Sequence, residues 1–269
     1  MRLQITCAMA CICVSFGSVG EADNIIAFRS DFDGVLSFAP RVSGAWSGVT
    51  TLESVRGYAG IGTGTNTFEG NFLRNASGIW QPEGGPLKTT LTLTGLPSHE
   101  SIDLNFLLAI IDSWNSPGQD FVVAVDGIPV FDQEFDNIRV GTDQSYIPPP
   151  GVQLLAWTFP QLGWGGPDNG ADSTRHTDSA WNMSFEPTLH GIQHNSSSLQ
   201  VDFYASIGAG GLHESWGMDN LEVVLNYRNV EAVPEPSSLV AFASLSLTGI
   251  GIAAWKRRLS LAQHERQVI

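Results

Sequence analysis

Two short motifs in this 269-residue chain place an acid two residues before a tryptophan: Asp112-Ser113-Trp114 and Glu214-Ser215-Trp216. Residues i and i+2 of a strand share a face. An acid beside an indole suits a sugar, because the carboxylate accepts from hydroxyls and the flat ring covers a pyranose. The same spacing suits a core, where the indole fills space and its N–H is satisfied close by. Both readings stand at this level. Trp164, set in the sequence Gly-Trp-Gly-Gly-Pro, joins the first of them as an expected exposed glycan contact, and Trp46, Trp80 and Trp157 are further aromatic candidates.

A second set of residues has the chemistry of a hard-cation site. Asp31-Phe32-Asp33-Gly34 lies near the start of the body, Asp219-Asn220 near its end, and Glu69 between them. Calcium takes several oxygen ligands. The first and last strands of a sandwich are frequently neighbours, so Asp31, Asp33, Glu69 and Asp219 are expected to converge on one structural calcium. No EF-hand spacing is present, and independent solvated acids are the alternative. His190 and His194 form an H-x-x-x-H with His213 further on, which raises zinc. Four residues of a strand span about 13 Å, too far for two imidazoles to share a metal. Pro187 and Gly191 oppose the helix that would bring them together, so surface or turn histidines are expected.

Catalytic signatures are absent. There is no Gly-x-Ser-x-Gly elbow, and the Gly-rich stretch 57–70 lacks the Lys-Ser/Thr ending of a phosphate loop. Acids are so numerous that a carboxylate pair for glycoside hydrolysis does not stand out from chance. No catalytic residue is assigned, and a polysaccharide-acting hydrolase is kept as the alternative to a binding or structural protein.

The elements that must position these residues are strands. Period-two runs occur at 89–94, 102–106, 121–125 and 199–204. Asp126-Gly127 between two apolar runs predicts a tight hairpin, and Asn195-Ser196-Ser197-Ser198 predicts another turn. The segment 141–178 is too broken by Pro and Gly for strands except at 152–159. With 42% hydrophobic residues, 15% charged, 29 Gly and 14 Pro, and no sustained 3.6-residue stripe, the chain reads as all-β. The expected architecture over 23–230 is an antiparallel two-sheet sandwich, jelly-roll-like, with a closed barrel as the runner-up. A formal charge of −14 from 13 Lys and Arg against 27 Asp and Glu excludes nucleic acid as a partner.

Both ends are addresses. Residues 1–22 carry Arg2, an apolar run from Ile5 to Phe16 and small residues at Ser18, Gly20 and Ala22, the pattern of a secretory signal. Cys7, Cys11 and Cys13 all lie within it, so the exported body has no disulfide. A lipoprotein anchor at Cys11 is a weaker alternative. At the other end, 231–259 holds Val233-Pro234-Glu235-Pro236, an uncharged stretch 239–255 and the basic cluster Lys256-Arg257-Arg258. Seventeen residues as a helix span about 25 Å, just enough to cross a bilayer. The basic cluster stays cytoplasmic, leaving 260–269 as an inside tail and the body outside.

The Pro-Glu-Pro triplet, apolar helix and basic stop together resemble the PEP-CTERM sorting signal of Gram-negative bacteria. That resemblance implies recognition by an exosortase, a transient inner-membrane stage, removal of the helix, and release or attachment at the outer envelope or extracellular matrix. An ordinary membrane anchor is the alternative. A second resemblance covers roughly 30–226. Gly95-Leu96-Pro97-Ser98-His99, Ile110-Ile111-Asp112-Ser113-Trp114, Val125-Asp126-Gly127, Gln144-Ser145-Tyr146 and Glu214-Ser215-Trp216-Gly217-Met218-Asp219-Asn220 are similar to the β-sandwich bodies of secreted bacterial surface proteins. The closing Trp-Gly-Met-Asp-Asn-Leu is also similar to the last strand of MAM-like and carbohydrate-binding jelly rolls, a likeness that implies calcium as a structural ion. The expectation is an exported, non-enzymatic envelope or matrix protein, adhesive or structural, with extracellular polysaccharide or envelope glycans as partners.

Overall fold

The computed structural model describes residues 24–34, 36–77, 87–114, 117–137, 144–150, 153–158, 162–163, 177–207 and 214–227. The expected signal peptide 1–22, the Pro234-Glu235-Pro236 triplet, the helix 239–255, the stop Lys256-Arg257-Arg258 and the tail 260–269 lie outside the described residues, as do Trp80 and Trp164. Among those described, the regular elements are strands and two single turns of 3-10 helix, Arg56–Tyr58 and Pro187–Leu189.

The strands in chain order are β1 (Ile25–Ser30), β2 (Leu36–Phe38), β3 (Ser43–Gly48), β4 (Thr51–Ser54), β5 (Gly62–Thr63), β6 (Asn66–Thr67), β7 (Asn71–Asn75) and β8 (Thr89–Thr94). They continue with β9 (Ser101–Asp112), β10 (Asp120–Val125), β11 (Ile128–Glu134), β12 (Gln153–Thr158), β13 (Asp178–Asn182), β14 (Ile192–Gln193), β15 (Ser198–Ala205) and β16 (Glu214–Asn226). One sheet runs β12-β13-β9-β16-β1-β2, with β14 on β9, β7 on β16 and β4 on β7. The facing sheet runs β11-β10-β15-β8-β3, and β5-β6 is a separate small hairpin. All the pairings are antiparallel. The all-β antiparallel sandwich read from the sequence is the fold.

Alternation along β9 explains how the sheet is used. In its first half Ile102, Leu104 and Phe106 are buried in the core between the sheets, while Ser101, Asp103 and Asn105 are half-buried on the outer face. In its second half both faces are buried. Leu108 and Ile110 point to the main core; Leu107, Ala109 and Ile111 form a second cluster with Val55, Tyr58, Phe68, Phe72 and Ala180. A strand buried on both faces reads as a continuous apolar run, and Leu107 to Ile111 is one. Segment 55–72 is therefore a cap over one end of the outer face. Gly217 makes this close approach possible, since a Cβ there would lie 2.2 Å from Phe72 Cε2. The other end of the same face is uncapped and polar.

The last strand changes phase in the middle. Trp216 and Met218 point into the core, and so do Leu221, Val223 and Leu225, which strict alternation forbids. A bulge resolves the conflict: the register of β16 against β9 slips by one residue between Asp219 and Glu222, with Asn220 at φ 51°. One extra residue returns the apolar set to the core and sends Glu222 outward. The hairpin at Asp126-Gly127 is as expected, both residues having positive φ, 49° and 80°.

Candidate functional site

Strand β1 lies beside β16, so the first and last strands are neighbours and the acids near their ends meet. Asp33 Oδ1 accepts from Asn71 N at 2.7 Å and Asn71 Nδ2 at 3.0 Å, and Asp31 Oδ1 from Asp33 N at 3.0 Å. Asp219 accepts from Glu69 N at 3.2 Å and Asn220 N at 2.7 Å, while Glu69 Oε1 takes the Thr67 hydroxyl at 2.9 Å. The packing is tight: a Cβ on Gly70, whose φ is +51°, would lie 2.1 Å from the Asp33 carboxylate. Burial, with the charges of Asp33 and Asp31 adding to it, pushes Asp219 up to about 7, against the two N–H groups that favour its ionised form.

These carboxylates thus serve as acceptors that clamp the turn after β1 and the 67–71 loop onto the bulge. Among the described residues no group of three or more His, Cys, Asp or Glu side chains is disposed to hold a metal ion.

The acid–tryptophan motifs meet as well, in direct register across β9 and β16, Asp112 opposite Glu214. Both carboxylates are buried, and Glu214 Oε1 accepts from Gln119 Nε2 at 2.9 Å. Asp112, at φ 69°, donates its N–H to Asp178 Oδ1 at 2.8 Å. Burial pushes Asp178 up to about 6, against N–H donors from Asp112 and Leu162 and the charge of Arg74. Trp114 and Trp216 have 0% exposure. Trp114 Nε1 donates to Ser215 O at 2.9 Å, and Trp216 meets Phe121 edge-on at 5.1 Å. The sugar-stacking role expected of Trp114 and Trp216, with Asp112 and Glu214 beside them, is therefore corrected to core packing: neither indole presents a face to solvent. Trp46 and Trp157 are half-buried, Trp157 Nε1 donating to the Thr177 hydroxyl at 2.6 Å.

The polar, uncapped end of the outer face holds a cleft of about 310 Å³ lined by Arg29, Thr65, Asn66, Asn105, Ser184, Asn220 and Glu222. Its floor is a transverse row across three strands, Asn105 opposite Glu222 and Glu222 opposite Arg29. Arg29 Nε is 3.4 Å from Glu222 Oε1. Its wall is the β5–β6 hairpin, tied to the bulge by Asn220 Nδ2, which donates to Asn66 Oδ1 at 3.1 Å and Thr67 O at 2.9 Å. The acidic junction fixes that wall, because Glu69 N and Asn220 N both bond Asp219. Arg29, Asn66, Asn105, Ser184 and Glu222 are far apart in sequence, and none stood out in it.

No family model matches the chain. No curated protein matches it either. Among solved structures the chain is similar to the Agl-KA catalytic domain, at 14% identity and a TM-score of 0.30, over 76% of this chain and 28% of that one. It is also similar to SGBP-B from a complex xyloglucan utilization locus in Bacteroides uniformis, at 12% identity and a TM-score of 0.30, over 74% of this chain and 49% of that one. The chain spans less than half the length of either protein, and at this similarity neither informs its chemistry.

His190 and His194 lie in the turns flanking β14, as expected, and His213 lies outside the described residues. His190 Nδ1 is 3.6 Å from Asp103 Oδ2. His194 is buried against His99, with His99 Nε2 2.7 Å from His194 Nδ1. The outer nitrogens face carbonyls, His99 Nδ1 on Pro97 O at 2.7 Å and His194 Nε2 on Ser198 O at 3.0 Å, with Asp126 Oδ2 3.3 Å from His194 Nε2. The pair ties together the turns around 97, 126 and 196. His99→Ala is expected to cost about 1–3 kcal/mol, the range for leaving a buried polar group without its partner. Faster hydrogen exchange at the amides of Leu96 and Gln200, which bond across these turns, with the rest of the sandwich unchanged, is the measurement that checks it.

Proposed function

We propose that the chain is an exported envelope or extracellular-matrix protein, adhesive or structural, whose sandwich contacts glycan through the polar cleft on the outer face of the larger sheet. The observation that carries the glycan contact is the cleft's lining: two hydroxyls, three carboxamides and one matched ion pair around a concave space. Sugar hydroxyls both donate and accept, and carboxamides and hydroxyls answer both demands. The reading is of a binding module. Hydrolysis of a glycosidic bond takes two carboxyl groups flanking one cleft, and the lining here holds a single one, Glu222.

Retention of the full chain on the producing organism's extracellular polysaccharide tests this. Asn105→Ala removes the amide at one end of the floor row and is expected to weaken retention about two- to tenfold, the worth of one or two hydrogen bonds. Retention by the wild-type chain that Asn105→Ala and Asn66→Ala leave intact would move the contact elsewhere on the surface.

Export and sorting are supported by the two ends of the sequence. The 1–22 run and the order Pro-Glu-Pro, apolar helix, basic stop fit an exosortase substrate that passes through the inner membrane and loses its helix. Replacing Pro234 and Pro236 with alanine is expected to leave uncleaved protein in the inner membrane. Unchanged processing would point to an ordinary anchor.

A further inference from the structure

We infer that the cleft selects neutral glycans over acidic ones, and that Glu222 sets this selectivity by matching Arg29; the inference rests on the glycan-binding reading above. An arginine beside a sugar site is ordinarily the group that takes a uronic acid, because its planar fork pairs with a carboxylate. Arg29 is the one cation among the residues that line this cleft. Its position is adequate for that role, with the side chain 52% exposed. It is nonetheless already paired. Glu222 faces it in register from the neighbouring strand, and the phase change at the bulge is what turns Glu222 to this side of the sheet.

The remaining lining groups carry no charge. Asn220 and the Asn66 oxygen are committed to holding the wall, which leaves the Asn66 amide nitrogen with Asn105, Thr65 and Ser184 to meet hydroxyls. Beyond the lining, the field is negative. The body from 23 to 233 holds 8 Lys and Arg against 24 Asp and Glu. Charges within about a Debye length, roughly 8 Å at physiological salt, are felt by a ligand in the cleft. A uronate would meet a neutralised arginine inside an acidic surround, whereas a neutral hexose loses nothing there.

The test is affinity electrophoresis of the full chain in gels containing hydroxyethyl cellulose, laminarin or dextran as neutral polymers, and polygalacturonate or alginate as acidic ones. The wild-type chain is expected to be retarded by at least one neutral polymer and about tenfold less by the acidic ones, one charge-assisted contact's worth of discrimination. Glu222→Gln keeps the shape and an oxygen facing Arg29 but removes the charge. It is expected to raise retention on the uronates about tenfold, with the gain abolished by high salt and by adding Arg29→Gln. Thermal melting of each variant checks that the sandwich is intact. A wild-type preference for uronates, or a neutral-to-acidic ratio that Glu222→Gln leaves unchanged, would overturn the inference while keeping glycan binding. Absence of retention on every polymer, including the organism's own, would overturn the binding reading itself and this inference with it.

Discussion

Trp216→Ala is expected to cost about 3–5 kcal/mol of folding stability and to leave the folded fraction's glycan retention where it was. Trp216 lies in the middle of the larger sheet, on the strand flanked by β7 and β9, and is wholly shielded from solvent. Its ring stands edge-on to Phe121 of the facing sheet, so it bridges the two layers. Truncation leaves a cavity that close-packed neighbours fill only in part, and both the transfer and cavity contributions are lost. Domains of this size have about 5–15 kcal/mol in all, which makes the change large in the urea midpoint. Trp114→Ala should fall in the same range and also leave Ser215 O without its indole donor. A stacking platform would behave in the opposite way, with little change in melting and a collapse of retention. That result for Trp216 would refute its assignment to the core.

How much of this was legible in the sequence depends on the range of the interactions involved. The strand at 102–106, which the structure extends to Ser101–Asp112, the hairpin at Asp126-Gly127 and the strand within 152–159 follow from local alternation and turn chemistry. The meeting of Asp33 and Asp219 with the 67–71 loop also follows, because it needs only that the first and last strands be neighbours. What those acids do there was not legible, since carboxylates clamping amides and carboxylates holding an ion have the same composition. The tryptophans were ambiguous for a related reason: the i, i+2 rule says which residues share a face, not which face is covered. The cleft was least visible. Its floor joins residues 29, 105 and 222 through strand order, and its wall depends on a bulge. One local signal does exist, the switch from even apolar positions (Trp216, Met218) to odd ones (Leu221, Val223, Leu225) across Asp219-Asn220, which marks a bulge and an outward Glu222.

Stability is expected to fall by a few kcal/mol as pH rises from about 4 to about 8, and then to level off. Two buried carboxyls set this direction. Burial pushes Asp219 up to about 7 and Asp178 up to about 6, both from 3.8. Between their ordinary and raised values the folded state holds protons that the unfolded chain has released, so each added unit of pH favours unfolding. Asp178 is half ionised near pH 6 and Asp219 near pH 7, and each stops contributing about one unit above that. Asp202 acts in the opposite sense: burial raises it, but Lys88, Thr90 and Gln200 outweigh that and hold it below the usual range. Its stabilisation is lost as pH falls through that lowered value, outside the window above, so the two effects separate in a melting series. The same series decides the standing of calcium. An ion bound by Asp219 and its neighbours would keep that carboxyl ionised in the folded state, raise the melting temperature and flatten the slope around pH 7, where Asp219 supplies most of it. A slope that calcium and chelator leave unchanged means that the amides of Glu69 and Asn220 alone hold this junction, and with it the wall of the cleft.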